Sequence, residues 1–299
     1  MYDKKSFTWG TELEWGDVDR TLELPSELGS WNLYECEILN LRPPYAGIAA
    51  DPLGVNPPVG GEINVKPSHR KEVQVERILA LAKFFEERGG PPTLSCVQGL
   101  HVHVHVPGLR EDLEALRRIS RYFYENQDPY IERLHGFYRD PLMGTSRKAV
   151  SILGKSARRI PEWRAENLEK AQSVGHFFRT QQSGKDGWKL DAPLARPVRY
   201  SINLYSLKNM ETIEYRAPRA TLDPKQLTDL FEFLERFTEA ALAPEGVPAG
   251  EILSSREWSF ATFNYNPYQF EAWERTCKTS PSSKPPGARV FYPPSTLTE

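Results

Sequence analysis

The sequence predicts an α+β fold with a mainly antiparallel sheet, and three observations carry that prediction. Polar and apolar residues alternate with period two in several separate stretches. Apolar stripes of helical period stand between them, and strand and crossover helix never alternate strictly. Parallel sheets require such crossovers, whereas antiparallel sheets do not.

Residues 6 to 15, Ser-Phe-Thr-Trp-Gly-Thr-Glu-Leu-Glu-Trp, alternate as a half-buried strand does, and residues 32 to 41 are strand-like too. Pro and Gly crowd residues 42 to 61, which predicts a loop. Val75, Ile78, Leu79, Ala82 and Phe85 share one face of a helix over 71 to 88, and Gly89-Gly90 supplies a left-handed stop. A strand from Leu94 to Val106 and a turn at Pro107-Gly108 follow. A second helix then turns Leu113, Leu116, Ile119, Tyr122 and Phe123 inward. Between 138 and 196 the periodicity is broken, and only a helix around 161 to 175 is predicted. Residues 198 to 207 and 210 to 217 predict a hairpin closed at Lys208-Asn209. Asp223-Pro224-Lys225-Gln226 supplies an N-cap, a first-turn Pro and a capping-box Gln. The helix it opens buries Leu227, Leu230, Phe231, Leu234 and Phe237. This organisation predicts a main domain over 1–245 and a C-terminal extension over 246–299. The extension is aromatic from Trp258 to Trp273, and its Pro- and Ser-rich end beyond Cys277 predicts a mobile tail.

With 299 residues, 39% of them hydrophobic, the chain can bury a sizeable core. A formal net charge of −2 asks for neither a nucleic-acid nor an anionic-membrane partner. Cys36, Cys96 and Cys277 are odd in number and lack metal-ligand or redox spacing, which predicts free thiols in a reducing cytosol. No apolar run approaches membrane-spanning length and the N-terminus has no signal-like apolar core, so a cytoplasmic protein is expected. Ser183-Gly184-Lys185-Asp186-Gly187 lacks P-loop spacing and predicts a flexible loop or lid. No Gly-x-Ser-x-Gly element or Cys-His pairing predicts a hydrolase triad.

The chemistry sits in the polar halves of the alternating segments. Glu12 and Glu14 share one strand face, as do His101, His103 and His105. Arg199, Ser201, Asn203 and Tyr205 form a third such face, and Thr212, Glu214 and Arg216 a fourth. A water-facing side of the sheet would explain any one of these. Their joint composition is different: carboxylates, imidazoles and Arg are concentrated, with adjacent like charges that repel unless a cation lies between them. A hard divalent ion such as Mg²⁺ resolves that repulsion. Two other readings stand beside it. The histidine run suits Zn²⁺ or Fe²⁺, and Arg216 could serve as the salt-bridge partner of Glu214. His105, closest to the turn, reads as structural or peripheral, and His69, His135 and His176 belong to no constellation. Arg147, Lys148, Lys155, Arg158 and Arg159 form a basic run that suits phosphate contact or a solvated helix.

Five ordered segments extend this reading. They are Gly10-Thr11-Glu12-Leu13-Glu14, Gly61-Glu62-Ile63 with Lys66-Pro67, Gly99-Leu100-His101-Val102-His103-Val104, Arg199 with Asn203-Leu204, and Thr212-Ile213-Glu214-Tyr215-Arg216 followed by Thr221-Leu222-Asp223. Together they resemble the motifs of the amidoligase family, which is related to glutamate-cysteine ligase and more distantly to glutamine synthetase. The resemblance implies a curved antiparallel sheet with helices on its outer face and two or three Mg²⁺ ions on its concave face, beside ATP. By position, it implies that Glu12, Glu14, Glu62 and Glu214 bind metal together with one of His101 and His103, His103 being favoured. Arg216 would contact the transferring phosphate, and Arg199 and Asn203 would line the pocket. Lys66 and Arg147 would serve the nucleotide, the latter in a Ser146-Arg147 pair similar to one in the family. The implied activity is ATP-dependent joining of a small-molecule or peptide carboxylate to an amine through an acyl-phosphate. The alternatives are a histidine-based metal-dependent hydrolase or oxygenase, and a non-catalytic relative that binds a partner. No motif specifies the substrates, the pathway or the oligomeric state.

Overall fold

Alternation in sequence becomes alternation of burial in strand β1 (Thr8–Trp15), where Trp9, Thr11, Leu13 and Trp15 are buried and the residues between them only partly so. The computed structural model describes residues 2–15, 18–19, 21–32, 61–90, 92, 99–135, 159–182, 200–218, 220–244 and 248–254. Strand β1 pairs with β3 (Gly61–Ser68) on one side and β4 (Leu100–His105) on the other. Strand β2 (Gly29–Trp31) extends the sheet beyond β3, and β6 (Thr212–Tyr215) with β5 (Ile202–Asn203) extends it beyond β4. The order is β2-β3-β1-β4-β6-β5 and every pairing is antiparallel, so the protein is α+β with a six-stranded antiparallel sheet. At the β2–β3 contact a Cβ on Gly29 would lie 2.6 Å from the Asn64 carbonyl oxygen, so no larger residue fits.

One face of the sheet is apolar and packs on helices. Trp15 meets Phe85 of helix α1 (Lys71–Glu86), and Tyr215 meets Phe123 and Tyr130 of α2 (Leu113–His135). Trp9 meets Phe231 of α6 (Pro224–Leu242). Each fully buried ring or branched chain of this layer contributes roughly 1.5–3 kcal/mol. A buried polar link runs through the same layer: the Thr11 hydroxyl donates to Gln74 Oε1, and Gln74 Nε2 donates to the Lys66 carbonyl. On α1, Gln74, Val75, Ile78, Leu81 and Phe85 are buried while Leu79 and Ala82 of the predicted stripe are half-buried. Helix α6 starts as the sequence predicts, with Asp223 accepting from the Gln226 amide and Pro224 in the first turn. Gln226 itself accepts from the Thr221 hydroxyl, which in turn accepts from the Asp223 amide.

Other segments depart from expectation. Residues 61–68 form a full strand although 42–61 reads as loop, and the end of the strand predicted from Leu94 is described only from Leu100. The helix expected around 161 to 175 is two helices, α3 (Glu162–Glu169) and α4 (Val174–Gln182). Strands β5 and β6 pair as predicted, yet no tight turn joins them at Lys208-Asn209. A short helix, α5 (Ser206–Met210), fills the connection, and Glu211 reverses the chain at φ 59°. Helix α7 (Ala249–Ser254), within the segment read as an extension, packs on α6 and α2. Residues 33–41, the loop 42–60, the basic run up to Arg158, Ser183 to Gly187, the three cysteines and the aromatic stretch with its tail lie outside the described residues. Among the described residues, no helix is long and apolar enough to cross a membrane.

Candidate metal centre

Strand register assembles the second face. Glu12 lies opposite His101 on β4 and Asn64 on β3, and Glu14 lies opposite Glu62. His103 lies opposite Gly10 on one side and Glu214 on the other, and Asn203 lies opposite Glu214. Paired residues share a face, so these side chains converge on the side away from the helices.

Glu12 is the hub. Its Oε2 lies 3.1 Å from His101 Nδ1 and its Oε1 lies 3.2 Å from His103 Nε2. Glu12, His103 and Glu214 each offer one ligand atom, and these atoms all lie within 4.8 Å of one another. An octahedral ion with bonds of about 2.1 Å holds adjacent ligands roughly 3 Å apart and opposite ones roughly 4.2 Å apart, so three atoms within 4.8 Å of one another are close to the spacing that one divalent cation needs. A donor set of two carboxylates and one imidazole suits a hard ion better than a soft one. His103 Nε2 is buried and makes no hydrogen bond of acceptable geometry, an orphan that a cation would satisfy.

The surrounding residues hold these groups in place. Arg216 Nη1 donates to Glu214 Oε1 and Asn203 Nδ2 to Glu214 Oε2. Glu14 accepts from the Gly99 amide at 2.9 Å and stands 3.7 Å from His101 Nε2. A Cβ on Gly99 would come within 2.9 Å of that nitrogen, so the close approach requires glycine. Glu62, 4% exposed, accepts from Asn32 Nδ2 at 2.6 Å. Glu14, Glu62 and His101 therefore border the group of three without belonging to it. His105 lies further out, 3.8 Å from Glu211, which Arg110 holds at 2.5 Å. Lys66 is exposed on β3 beside the irregularity opposite Gly10. Arg147 and Arg199 lie outside the described residues. Arg216 is the ion-pair partner of Glu214 here, and its Nε is buried without a hydrogen bond.

Burial alone would raise both acids, yet their partners outweigh it. The hydrogen bond from His101 and the close contact with the His103 imidazole hold the Glu12 carboxyl well below its ordinary range. The Arg216 guanidinium leads the groups that hold Glu214 at about 2. Burial pushes the His103 imidazole down, but contact with Glu12 and the charge of Glu214 raise it above its ordinary value of 6.5. The His103 proton thus stands where a cation would stand, between two ionised carboxylates. A divalent ion needs the neutral ring and must displace that proton. Affinity for Mg²⁺ or Mn²⁺ is accordingly expected to rise with pH, by up to about tenfold per unit, until pH passes the raised value of His103 and the gain levels off. Calorimetry in buffers of different ionisation enthalpy should record up to one proton released per ion below that point and none well above it.

The Thr212 contact with His103, the Gly99 amide on Glu14 and the Asn32 amide on Glu62 escape the sequence reading. Only Gly99, two residues before His101, carries a visible signal. No family model, curated protein or solved structure matches the chain. Fold and site together define a candidate centre for a hard divalent cation on an open antiparallel sheet.

Proposed function

We propose that the chain is a Mg²⁺-dependent enzyme of phosphoryl transfer from ATP. More particularly, it is a carboxylate-amine ligase that makes an amide through an acyl-phosphate, working in the cytosol on small-molecule or peptide substrates. One observation carries this reading: Glu12, His103 and Glu214 from three strands meet within 4.8 Å, with the buried Arg216 guanidinium on Glu214. The antiparallel sheet with helices on one face and acids on the other is the arrangement expected of the glutamate-cysteine ligase-like catalytic fold.

In the proposed reaction a substrate carboxylate oxygen attacks the γ-phosphorus, the bond to ADP breaks, and an acyl-phosphate forms. The amine nitrogen then attacks the acyl carbon, phosphate leaves with the bridging oxygen, and the nitrogen loses a proton. Bound Mg²⁺ would supply positive charge against the charge of the phosphate groups. Glu12, His103 and Glu214 would hold that ion, and Asn203 keeps the Glu214 carboxylate in place. Arg216, with unused donors beside the site, supplies a fixed positive charge for a phosphoryl group in transit. Such chemistry rests on positioning and electrostatics and needs no nucleophilic side chain. A zinc or iron centre on three imidazoles has less support, because His105 stands by Glu211 and His101 Nδ1 is engaged with Glu12.

Hydroxylamine provides the test, because it captures acyl-phosphates as hydroxamates. Protein with ATP, Mg²⁺, hydroxylamine and a panel of amino acids and other carboxylates is expected to form hydroxamate and ADP in equal amounts with one class of carboxylate. Phosphate release that ignores every carboxylate, or tightly held zinc or iron in the purified protein, would count against ligation.

A further inference from the structure

We propose that Thr212 is a positioning residue of this centre, its hydroxyl fixing the His103 ring so that Nε2 faces the carboxylates with a free lone pair. The inference rests on reading Glu12, His103 and Glu214 as a cation site. His103 Nδ1 lies 2.9 Å from Thr212 Oγ1, and Thr212 Oγ1 lies 2.9 Å from Ser206 Oγ.

Two consequences follow from that chain of contacts. The first concerns orientation. Turning the imidazole over would place carbon against Thr212 and carbon against Glu12, losing a hydrogen bond on one edge and the ligand nitrogen on the other. The second concerns the proton. A neutral ring that donates from Nδ1 to Thr212 leaves Nε2 as a lone pair, while the Thr212 hydroxyl hydrogen is free to go to Ser206. The opposite arrangement, with Thr212 donating to Nδ1, would put the ring proton on Nε2 and block a cation. A hydrogen bond on the remote nitrogen of a metal-binding histidine sets its tautomer and orientation in this way.

The chain geometry is built to deliver Thr212. Ser206 opens α5 and is buried, and Glu211 takes a left-handed φ of 59° between α5 and β6. A non-glycine residue there costs on the order of 1 kcal/mol or more. That reversal brings the Ser206 and Thr212 hydroxyls within hydrogen-bonding distance beside His103, which a two-residue hairpin turn would not do.

The test uses the full chain and Mn²⁺ alone, followed by electron paramagnetic resonance. Thr212→Val keeps the shape and removes the hydroxyl, and it is expected to weaken Mn²⁺ binding by about 10–100-fold. Thr212→Ser, which keeps the hydroxyl, is expected to bind Mn²⁺ far more tightly than Thr212→Val and close to the natural protein. Nitrogen-15 spectra of the natural protein, at a pH where His103 is neutral, should show the proton on Nδ1. Mn²⁺ binding by Thr212→Val as tight as the natural protein's, or a proton found on Nε2, would overturn the inference. The spectrum decides even if Thr212→Val fails to fold. A natural protein that binds no Mn²⁺ overturns the cation reading and this one with it, whereas equal binding by both proteins overturns this one alone.

Discussion

Glu12→Gln is expected to lower carboxylate-dependent turnover by at least about 10²–10³-fold, the range seen when one preorganised electrostatic group is removed from a reacting centre. The amide keeps the size of the side chain and one oxygen that can still accept from His101 Nδ1. What it loses is the charge on which both imidazoles lean and one of the three cation ligands. Stability responds differently. Losing the contact with protonated His103 destabilises, but Glu12 also repels Glu214, and removing that repulsion works the other way. The net change is expected within about 1 kcal/mol, equivalent to a few degrees in melting temperature. Turnover assays beside calorimetry check both halves. A large loss of stability would make Glu12 a structural residue.

Arg216→Ala is the second large effect, and here stability without cation and turnover with Mg²⁺ both fall. The guanidinium and Glu214 are a buried pair, so removing one partner leaves an uncompensated carboxylate, with a cost of about 3–5 kcal/mol. The Glu214 carboxyl, held at about 2 largely by that guanidinium, would climb. Saturating Mg²⁺ is expected to restore part of the lost melting temperature, since the ion supplies the missing positive charge. Turnover should not recover: loss of an arginine that stabilises a transferring phosphoryl group costs about 10³–10⁵-fold. Arg216→Lys should behave more like Ala than like the natural residue, because a single ammonium cannot donate to Glu214 and to a phosphate in the same planar fork. Melting curves in chelator and in Mg²⁺, with turnover measured on the same samples, decide the matter.

Much of the site is legible in the sequence. Period-two alternation places Glu12 with Glu14, the three histidines together, and Thr212 with Glu214 and Arg216, because strand faces follow from local geometry alone. Which acid meets which imidazole is not local. It depends on the pairing of β1 with β4 and of β4 with β6, and on the register irregularity between Trp9 and Thr11, which a single strand's sequence does not encode. Strand β3 was hidden by its Gly-rich approach and by Pro67, although Glu62 and Asn64 alternate with Ile63 and Val65. The proline sits at that irregularity, where a missing backbone donor does least harm. The β5–β6 connection misled for another reason. Asn209 is the residue type that tolerates positive φ, yet the reversal falls on Glu211, whose conformation is imposed by tertiary structure and supported by Arg110. Gln74 shows the same limit on α1, since a polar residue faces the sheet only because Thr11 is there to bond it.

The central claim is that Glu12, His103 and Glu214 form a site for one divalent cation beside ATP. Anomalous diffraction from crystals grown with Mn²⁺ and a non-hydrolysable ATP analogue tests it most directly. The account predicts a manganese peak bonded to Glu12, to His103 Nε2 and to Glu214, with analogue phosphate oxygens completing its shell. Nucleotide bound elsewhere, with no manganese among these three side chains, would contradict it.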